Sequence, residues 1–391
     1  MKDFKKISVR NMTKRFGEKI AVNDFSLEFG KGEFVTFLGP SGCGKSTALN
    51  CITGLIPITG GEIWIDDECI DDSKNKVSPE KREFGMVFQN YALFPHLSVR
   101  ENVAFGLKLR HIRHAEIAQR VEAALKLVHL DGYGSKFPSQ MSGGEQQRVA
   151  IARCIVLEPR LLLLDEPLSN LDAKLRVELR YELKALHERL KVTTIYVTHD
   201  QTEALALSDR IVVLRLGRIQ QVGTPSEVFS DPSNLFVADF MGFKNMWTAK
   251  VESLSAKGER LEATLDAQGL KLVASLAWPE GDSRRAVIEE AHRTGQPMRT
   301  AVRPEDISLA PRGSHNSFEC AASIVEYQGQ ASQVSATVTA TAGPGLEALR
   351  VDLRSGTLIS EGEVFSASIP PEKLLLFPAT ESAAEASRWT P

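Results

Sequence analysis

No stretch of the 391-residue sequence is apolar for long enough to span a bilayer, and the longest apolar runs are as short as Leu161 to Leu164. Cysteine is scarce and widely spaced, with five residues and no CxxC pair, which argues against a disulfide scaffold or a zinc site and is typical of a reducing cytoplasm. The formal net charge of −3 gives the chain no basic field, so its composition predicts no nucleic-acid partner. No apolar segment follows the first six residues, so we expect no secretory signal.

The residues that are present suit an ordinary globular protein of two domains. Hydrophobic residues make up 42% of the chain and charged residues 25%, which is typical of folded proteins. The length is ample for a large core. Near residue 243 the pattern changes from apolar runs alternating with helical stretches to strand-like alternation. We therefore predict one domain over residues 1–243 and a second over residues 244–391.

Continuous apolar runs in the first domain predict buried strands of a mainly parallel sheet. These runs are Glu33 to Leu38, Phe84 to Phe88, Leu161 to Leu164, Thr194 to Val197 and Ile211 to Leu214. Leucines between Leu171 and Leu190 recur at spacings of three and four, which indicates one apolar helix face. Strands that alternate with helices favour an α/β domain, and about residues 92–158 we predict a helical insertion.

The second domain is predicted to be strand-rich. Val334, Ala336 and Val338 alternate with other residues, and the same period of two recurs twice later in the chain. Glycine and proline between such runs favour antiparallel, barrel-like β modules. We also predict one short helix over Arg284 to His292.

A glycine-rich segment after the first parallel strand matches the spacing of a phosphate-binding loop. Its residues are Gly39, Pro40, Ser41, Gly42, Cys43, Gly44, Lys45, Ser46 and Thr47. Backbone N–H groups and the start of the following helix would surround a polyphosphate. Lys45 would supply a cation for the β- and γ-phosphates, and the Ser46 hydroxyl would ligate Mg²⁺. The alternative is a plain glycine-rich turn, which the flanking strand and helix disfavour.

Two acids end the buried strand Leu161 to Leu164. In a phosphate-loop fold this strand would place Asp165 near the loop, where it would hold Mg²⁺ directly or through water. Glu166 would then face the γ-phosphate as the general base for water. Two solvated acids at a strand end are the alternative, which the phosphate loop makes the weaker interpretation.

A Ser-Gly-Gly turn before a helix forms the most distinctive segment of the chain. Ser142, Gly143 and Gly144 would offer N–H groups, a hydroxyl and a helix dipole to an anion. The phosphates of a bound nucleotide would already be held at Lys45. A second phosphate-binding turn therefore has no evident function within a single subunit. The alternative is an ordinary helix cap.

With these three motifs in this order, the sequence resembles the ATP-binding subunits of ABC transporters over essentially its whole length. The resemblance implies a phosphate-loop ATPase cassette with ATP and Mg²⁺ as cofactors. It also implies a head-to-tail homodimer, because in the family the positions of Ser142 to Gly144 contact the γ-phosphate of ATP held by the opposite subunit. Met141 and Glu145 depart from the Leu and Gln that are usual there. A volume-conserving Met is a mild change, whereas Glu145 adds negative charge near a phosphate.

Further residues match the family pattern in order. Phe16 matches the aromatic residue that stacks on adenine, and Gln89 matches the glutamine that senses Mg²⁺ and the attacking water. Ser169 to Asp172 match the loop that joins the two sites across the dimer, and His199 matches the switch histidine that contacts the γ-phosphate. Each of them also has an alternative interpretation when it is considered alone. In the same order, these are a core phenylalanine, a polar residue at a strand end, a helix cap and a structural histidine.

Two segments resemble the importer branch of maltose, polyamine and ferric-ion systems. They are Phe88 to Leu97, which in that branch borders the permease groove, and Val302 to Ile307, which looks like the motif of an appended OB-like regulatory β-barrel domain. The resemblance implies two membrane permease subunits, an indirect solute-binding partner outside the membrane and a peripheral place on its cytoplasmic face. Gly242 to Trp247 looks more like the polyamine and iron group than the carbohydrate group.

Other classes of ABC protein remain as alternatives. A carbohydrate or glycerol-phosphate importer differs only in its solute. A soluble ABC protein acting on DNA or ribosomes would need long coiled-coil insertions or two fused cassettes, and an exporter ATPase is normally fused to membrane helices. A non-hydrolysing regulatory module would not need the intact set of Lys45, Asp165, Glu166 and His199.

Overall fold

The computed structural model describes residues 4–278, 280, 282–311, 313–329, 331–339, 349–354 and 359–379. The chain forms two compact units, Met1–Asp231 and Pro232–Pro391. This division falls ahead of the expected boundary at 243/244. The physical reason is the short helix Leu235–Phe240, which lies ahead of that expected boundary. Its residue Ala238 packs with Phe243, Ala301 and Phe377 in an apolar cluster of the second unit.

The strands of the first unit form two sheets. They are β1 (Lys6–Phe16), β2 (Lys19–Gly30), β3 (Phe34–Leu38), β4 (Gly60–Ile65), β5 (Glu68–Asp71), β6 (Phe84–Val87), β7 (Leu161–Asp165), β8 (Thr193–Thr198), β9 (Arg210–Arg215) and β10 (Arg218–Gly223). One sheet has the order β10-β9-β3-β8-β7-β6, in which every pair is parallel except β10 with β9. This confirms the predicted mainly parallel sheet and all five of its predicted strands.

The parallel sheet has an apolar core on both faces. Alternate residues of β7 point to opposite sides, since Leu161 and Leu163 belong to one buried cluster and Leu162 and Leu164 to another. Every residue of β3 is buried. Strands with a core on both faces need apolar side chains at consecutive positions. The continuous apolar runs in the sequence therefore identified the strands of this sheet.

The second sheet of this unit is antiparallel, with the order β2-β1-β4-β5, and the sequence did not predict it. Its strands pair with register shifts, for example between Val9 and Met12 of β1. Such irregularities interrupt the period of two that would have revealed the strands.

The helices of the first unit carry or flank the motifs. They are α1 (Lys45–Thr53), α2 (Pro79–Arg82), α3 (Val99–Leu109), α4 (His114–Leu127), α5 (Gly143–Ile155), α6 (Ala173–Leu190), α7 (Gln201–Leu207) and α8 (Pro225–Ser230), with a 3₁₀ turn at Pro138–Gln140. Between β6 and β7 the described chain is helical and contains no strand, as expected for the insertion. No helix within the described residues is both long and apolar enough to cross a membrane.

The second unit is mostly antiparallel β structure, as predicted. It contains α9 (Leu235–Phe240), β11 (Asn245–Lys257), β12 (Arg260–Ala267), β13 (Leu270–Leu276), α10 (Ser283–Thr294), β14 (Met298–Val302), β15 (Ser308–Leu309), β16 (Ser317–Tyr327), β17 (Ala331–Val338), β18 (Leu349–Arg354), β19 (Val364–Ser368) and β20 (Leu375–Pro378), with 3₁₀ turns at Pro304–Asp306 and Pro371–Lys373. Its sheets have the orders β13-β12-β11-β14-β20 and β15-β19-β16-β17-β18. The predicted short helix is α10.

Two segments that were singled out separately in the sequence meet inside the second unit. The guanidinium of Arg303 lies 3.9 Å from the ring centre of Phe243, and its Nε donates a 3.2 Å hydrogen bond to the carbonyl of Met241. Asn245 begins β11 and pairs with Val302 of β14. The segment after Gly242 is therefore built into the second unit and is not a free linker.

Candidate nucleotide-binding site

The loop between β3 and α1 has the backbone that a phosphate-binding loop requires. Gly44 precedes α1 with φ +107°, a conformation that side chains rarely adopt. A Cβ on Gly44 would lie 2.4 Å from the carbonyl oxygen of Ala21, and one on Gly39 would lie 2.4 Å from that of Leu214. Glycine at both ends of the motif is thus explained by close backbone approach.

Lys45, the first residue of α1, is buried beneath this loop. Its Nζ donates hydrogen bonds to the carbonyl oxygens of Gly39 at 2.8 Å and Pro40 at 3.0 Å. The same nitrogen lies 4.0 Å from Oε1 of Glu166. The ammonium is therefore held where it faces both the loop and the acidic end of β7.

Ser46 and Asp165 meet although 119 residues separate them. The hydroxyl of Ser46 donates a 2.8 Å hydrogen bond to Oδ1 of Asp165. Burial raises the pKa of the Asp165 carboxyl, and the hydrogen bond from Ser46 offsets part of that rise. A desolvated carboxylate beside a hydroxyl is a donor set that Mg²⁺ accepts when phosphate oxygens supply other ligands, so the residues fit that ion.

Glu166 follows directly and adopts a left-handed backbone with φ +43°. Its N–H donates to the carbonyl oxygen of Val197 on β8, which fixes the turn. Its Oε2 lies 3.2 Å from Nδ1 of His199, whose side chain is exposed. A carboxylate and an imidazole that meet in this way can accept and hold a proton between them.

Gln89 lies after the end of β6 and contacts the loop before α6. Its Nε2 donates a 3.3 Å hydrogen bond to Oγ of Ser169, and Nδ2 of Asn170 donates to the carbonyl of Gln89 at 3.0 Å. These two bonds hold the Gln89 segment against the loop Ser169 to Asp172.

An open cleft of about 550 Å³ connects several of these groups. Residues predicted from sequence that line it are Phe16, Ser41, Gly42, Gly44, Lys45, Ser46, Thr47, Gln89 and Glu166. Lining residues that the sequence analysis missed are Lys19, Ile20, Ala21, Leu216 and Gly217. The missed residues come from β2 and from the turn after β9. Of these residues, only Gly217 could have been recognised in the sequence, because its place in the turn requires glycine. A Cβ on Gly217 would lie 2.7 Å from the carbonyl oxygen of Ala21.

Phe16 lines the cleft, and its side chain is half-exposed, at 49%. The core-phenylalanine alternative therefore does not describe this residue. Nζ of Lys14 lies 4.8 Å from the centre of its ring and also donates to the carbonyl of Pro57. The ring can therefore receive a planar base by stacking.

The Ser-Gly-Gly turn and Asp172 are helix caps and do not line the cleft. Ser142 and Glu145 form a reciprocal capping box at the start of α5, and that contact is the main cause of the lowered pKa of Glu145. A Cβ on Gly144 would lie 2.9 Å from a methyl of Leu175. Asp172 caps α6 by accepting from the N–H of Leu175 at 3.0 Å.

Two residues of the phosphate-loop motif, Gly39 and Cys43, pack against the loop and do not face the cleft. Gly39 and Cys43 are not part of the cleft lining, and Cys43 is only 4% exposed. Burial raises the pKa of the Cys43 thiol. Both residues therefore act in packing, and the cleft-facing part of the motif runs from Ser41 to Thr47 without Cys43.

A strand, a glycine loop, a buried lysine and an acidic strand end define a phosphate-loop nucleoside triphosphatase. Family models agree, with the ABC transporter family matching residues 22–169 and the TOBE domain matching residues 300–377. Relatives that are 42% and 43% identical over 95% and 85% of this chain are import ATP-binding proteins. The chain belongs to the family of ATP-binding subunits of ABC importers that carry a C-terminal TOBE domain, and it is an ATPase of that family.

Three curated relatives illustrate this membership. The Fe(3+) ions import protein FbpC of Photobacterium profundum is 43% identical over 85% of this chain and 87% of its own. The maltose/maltodextrin import protein MalK of Yersinia pestis is 42% identical over 95% of both chains. The sn-glycerol-3-phosphate import protein UgpC of Ralstonia nicotianae is 48% identical over 66% of this chain and 69% of its own.

A solved structure shares the fold of part of this chain. It is the dimeric, post-hydrolysis state of an ATP-binding cassette bound to ADP and phosphate. It is 34% identical, covers 56% of this chain and 98% of that chain, and has a TM-score of 0.50.

Proposed function

We propose that this chain hydrolyses ATP to power solute import, as a homodimer bound to two membrane permease subunits at the cytoplasmic face of the plasma membrane. The observation that carries the proposal is the cleft in which Lys45, Ser46 and Glu166 come together while the Ser142 turn stays outside it. A second subunit, placed head to tail, would bring its own Ser142 turn to this cleft. The dimeric state of the solved relative supports that arrangement.

In and beside the cleft each candidate residue has a proposed role. Ser46, Asp165 and Gln89 would hold Mg²⁺, which when bound neutralises phosphate charge. Lys45 and the N–H groups of the loop bind and orient the phosphates. Glu166 accepts the proton of the attacking water, and His199 contacts the γ-phosphate.

The remaining candidate residues are proposed to bind the nucleotide. Phe16 receives the adenine base, and the loop residues from Ser41 to Thr47, without Cys43, surround the phosphates. Ser142, Gly143, Gly144 and Asp172 act on the nucleotide or loop of the opposite subunit.

The first test measures ATP hydrolysis by the purified chain and by Glu166→Gln, with gel filtration in Mg-ATP. We expect hydrolysis by the parent and an inactive variant that elutes as an ATP-bound dimer. Hydrolysis that survives the substitution would move the general base to another residue. Glu158→Gln is a control, since that acid lies outside the cleft lining and in the turn after α5.

The proposed solute is a polyamine, ferric ion or a related small polar compound. The argument rests on Gly242 to Trp247, and a carbohydrate or glycerol-phosphate importer is the alternative that the relatives' names also suggest. Uptake of labelled putrescine, ferric ion, maltose and glycerol 3-phosphate should be compared in cells with and without the chain. Loss of maltose or glycerol 3-phosphate uptake alone would overturn this choice. Co-purification with nucleic acid in place of permeases would favour a non-transport ATPase.

A further inference from the structure

A single guanidinium on α6 contacts two segments of the candidate site. NH2 of Arg176 donates a 3.1 Å hydrogen bond to the carbonyl of Leu171, just before the cap residue Asp172. Its NH1 lies 3.7 Å from Oδ2 of Asp200, and its Nε lies 3.9 Å from Oε1 of Glu203. One side chain therefore joins the loop before α6 to the turn after β8.

The turn after β8 is itself fixed by a buried carboxylate. Glu203 is 3% exposed, and its Oε2 accepts hydrogen bonds from the hydroxyls of Tyr196 at 2.8 Å and Thr198 at 2.7 Å. The Thr198 oxygen in turn accepts from the N–H of Asp200 at 3.0 Å. The residues on both sides of His199 are thus held by one network.

The two carboxylate oxygens of Asp200 have different partners: one contacts the start of α7 and the other faces the guanidinium of Arg176. Its Oδ1 caps α7 by accepting from the N–H groups of Thr202 and Glu203, whereas its Oδ2 faces Arg176. The imidazole of His199 stands outside the network, exposed and 3.2 Å from Glu166. Its position is therefore set through the backbone that the network holds.

We propose that Arg176 is a positioning residue that ties the loop carrying Asp172 to the turn carrying His199, and so sets where the His199 ring stands against Glu166. The mechanistic importance of this link rests on the proposed roles of His199 and Glu166. The planar guanidinium spreads its donors over three nitrogens, so each nitrogen of Arg176 faces a different group: a carbonyl or one of two carboxylates. An ammonium would contact fewer of the three groups, so lysine should replace arginine only in part.

A double-substitution cycle in the full chain tests the link through ATP hydrolysis. We expect Arg176→Met to lower kcat by about 10- to 100-fold with the KM for ATP within about twofold. In a His199→Ala background the same change should lower kcat by less than about twofold, because the group it positions is gone. Arg176→Lys should recover part of the loss. Arg180→Met is the matched control, since that guanidinium lies 5.9 Å from the ring of Tyr181, and it should leave kcat unchanged.

Nuclear magnetic resonance of the nucleotide-free chain provides a readout that does not depend on catalysis. The ring resonance of His199, assigned by its loss in His199→Ala, should shift in Arg176→Met and stay in place in Arg180→Met. This separates the two ideas: an inactive parent, or activity that survives Glu166→Gln, counts against the proposed function, whereas the His199 resonance reports on the link itself. If Arg176→Met fails to fold, Asp200→Asn takes its place, since it keeps the capping oxygen and removes the charge that faces Arg176.

Two results would overturn the proposal. One is an equal fall of kcat for Arg176→Met in the parent and His199→Ala backgrounds. The other is a His199 resonance that does not move in a folded Arg176→Met or Asp200→Asn variant.

Discussion

The helix α1, which carries phosphate-binding residues, is held at its C-terminal end by a buried ion pair. We therefore predict that Arg82→Met lowers the free energy of unfolding of this region by a large amount. NH2 of Arg82 lies 2.7 Å from Oδ2 of Asp71, and neither side chain is more than 1% exposed. Its Nε donates to the carbonyl of Val77 at 2.9 Å, and its NH1 donates to that of Ile52 in α1 at 2.8 Å. Methionine would fill much of the volume but would leave the Asp71 carboxylate without its cation.

The expected magnitude follows from that uncompensated charge. Removing one partner of a buried ion pair costs about 3–5 kcal/mol, because the remaining charge stays desolvated. Asp71→Asn combined with Arg82→Met removes both charges, and we expect it to recover about 0.5–3 kcal/mol relative to the sum of the single changes. Arg100→Met is the matched control: its ion pair with Glu122 is at least half-exposed and contributes about 0–1 kcal/mol.

Amide hydrogen exchange of α1, followed by mass spectrometry, measures the effect within the first unit. A loss of about 3–5 kcal/mol corresponds to exchange that is about a hundredfold to a few thousandfold faster. Exchange in Arg82→Met that is less than about fivefold faster would refute the argument. If the double variant loses as much stability as the two single variants together, the coupling between Asp71 and Arg82 is refuted.

Three further predictions concern the cleft and the core. Phe16→Ala should raise the KM for ATP by about 5- to 150-fold, since base stacking contributes about 1–3 kcal/mol, while kcat changes little. Gly44→Ala should abolish ATP binding in a calorimetric titration, because the new Cβ would lie 2.4 Å from the Ala21 oxygen at φ +107°. Burial lowers the pKa of His187 below its usual 6.5, so the unfolded chain binds this proton more readily than the folded chain. The free energy of unfolding should then fall as the pH drops below about 6.5, by up to about 1.4 kcal/mol per pH unit, and His187→Gln should flatten that dependence in urea titrations.

Each of these predictions has its own control and contrary result. Phe16→Trp keeps a stacking ring and should bind ATP normally, and a normal KM in Phe16→Ala would remove this residue from the base site. Gly132→Ala has a similar backbone, φ +77°, with nothing within 4 Å of the new Cβ, and should bind ATP. Equal binding by the Gly44 and Gly132 variants would contradict the close-approach argument. An unchanged pH dependence in His187→Gln would assign the acid sensitivity to other groups.

The sequence by itself determined the elements whose evidence is local. Apolar runs predicted the strands of the parallel sheet, because a sheet with a core on both faces needs continuous apolar residues. The spacing from Gly39 to Thr47 identified the phosphate loop, because close backbone approach requires glycine at fixed positions. The order of the motifs identified the family.

The tertiary structure decided everything that depends on residues far apart in the chain. Ser46 meets Asp165 across 119 residues, and Glu166 meets His199 across 33. The antiparallel sheet, the division at Asp231/Pro232 and the cleft residues from β2 carried no local signal, and in the turn after β9 only Gly217 carried one. The same holds for the contacts of Arg176 with Asp200 and Glu203. Sequence spacing cannot give these pairings, because they follow from how whole elements pack against one another.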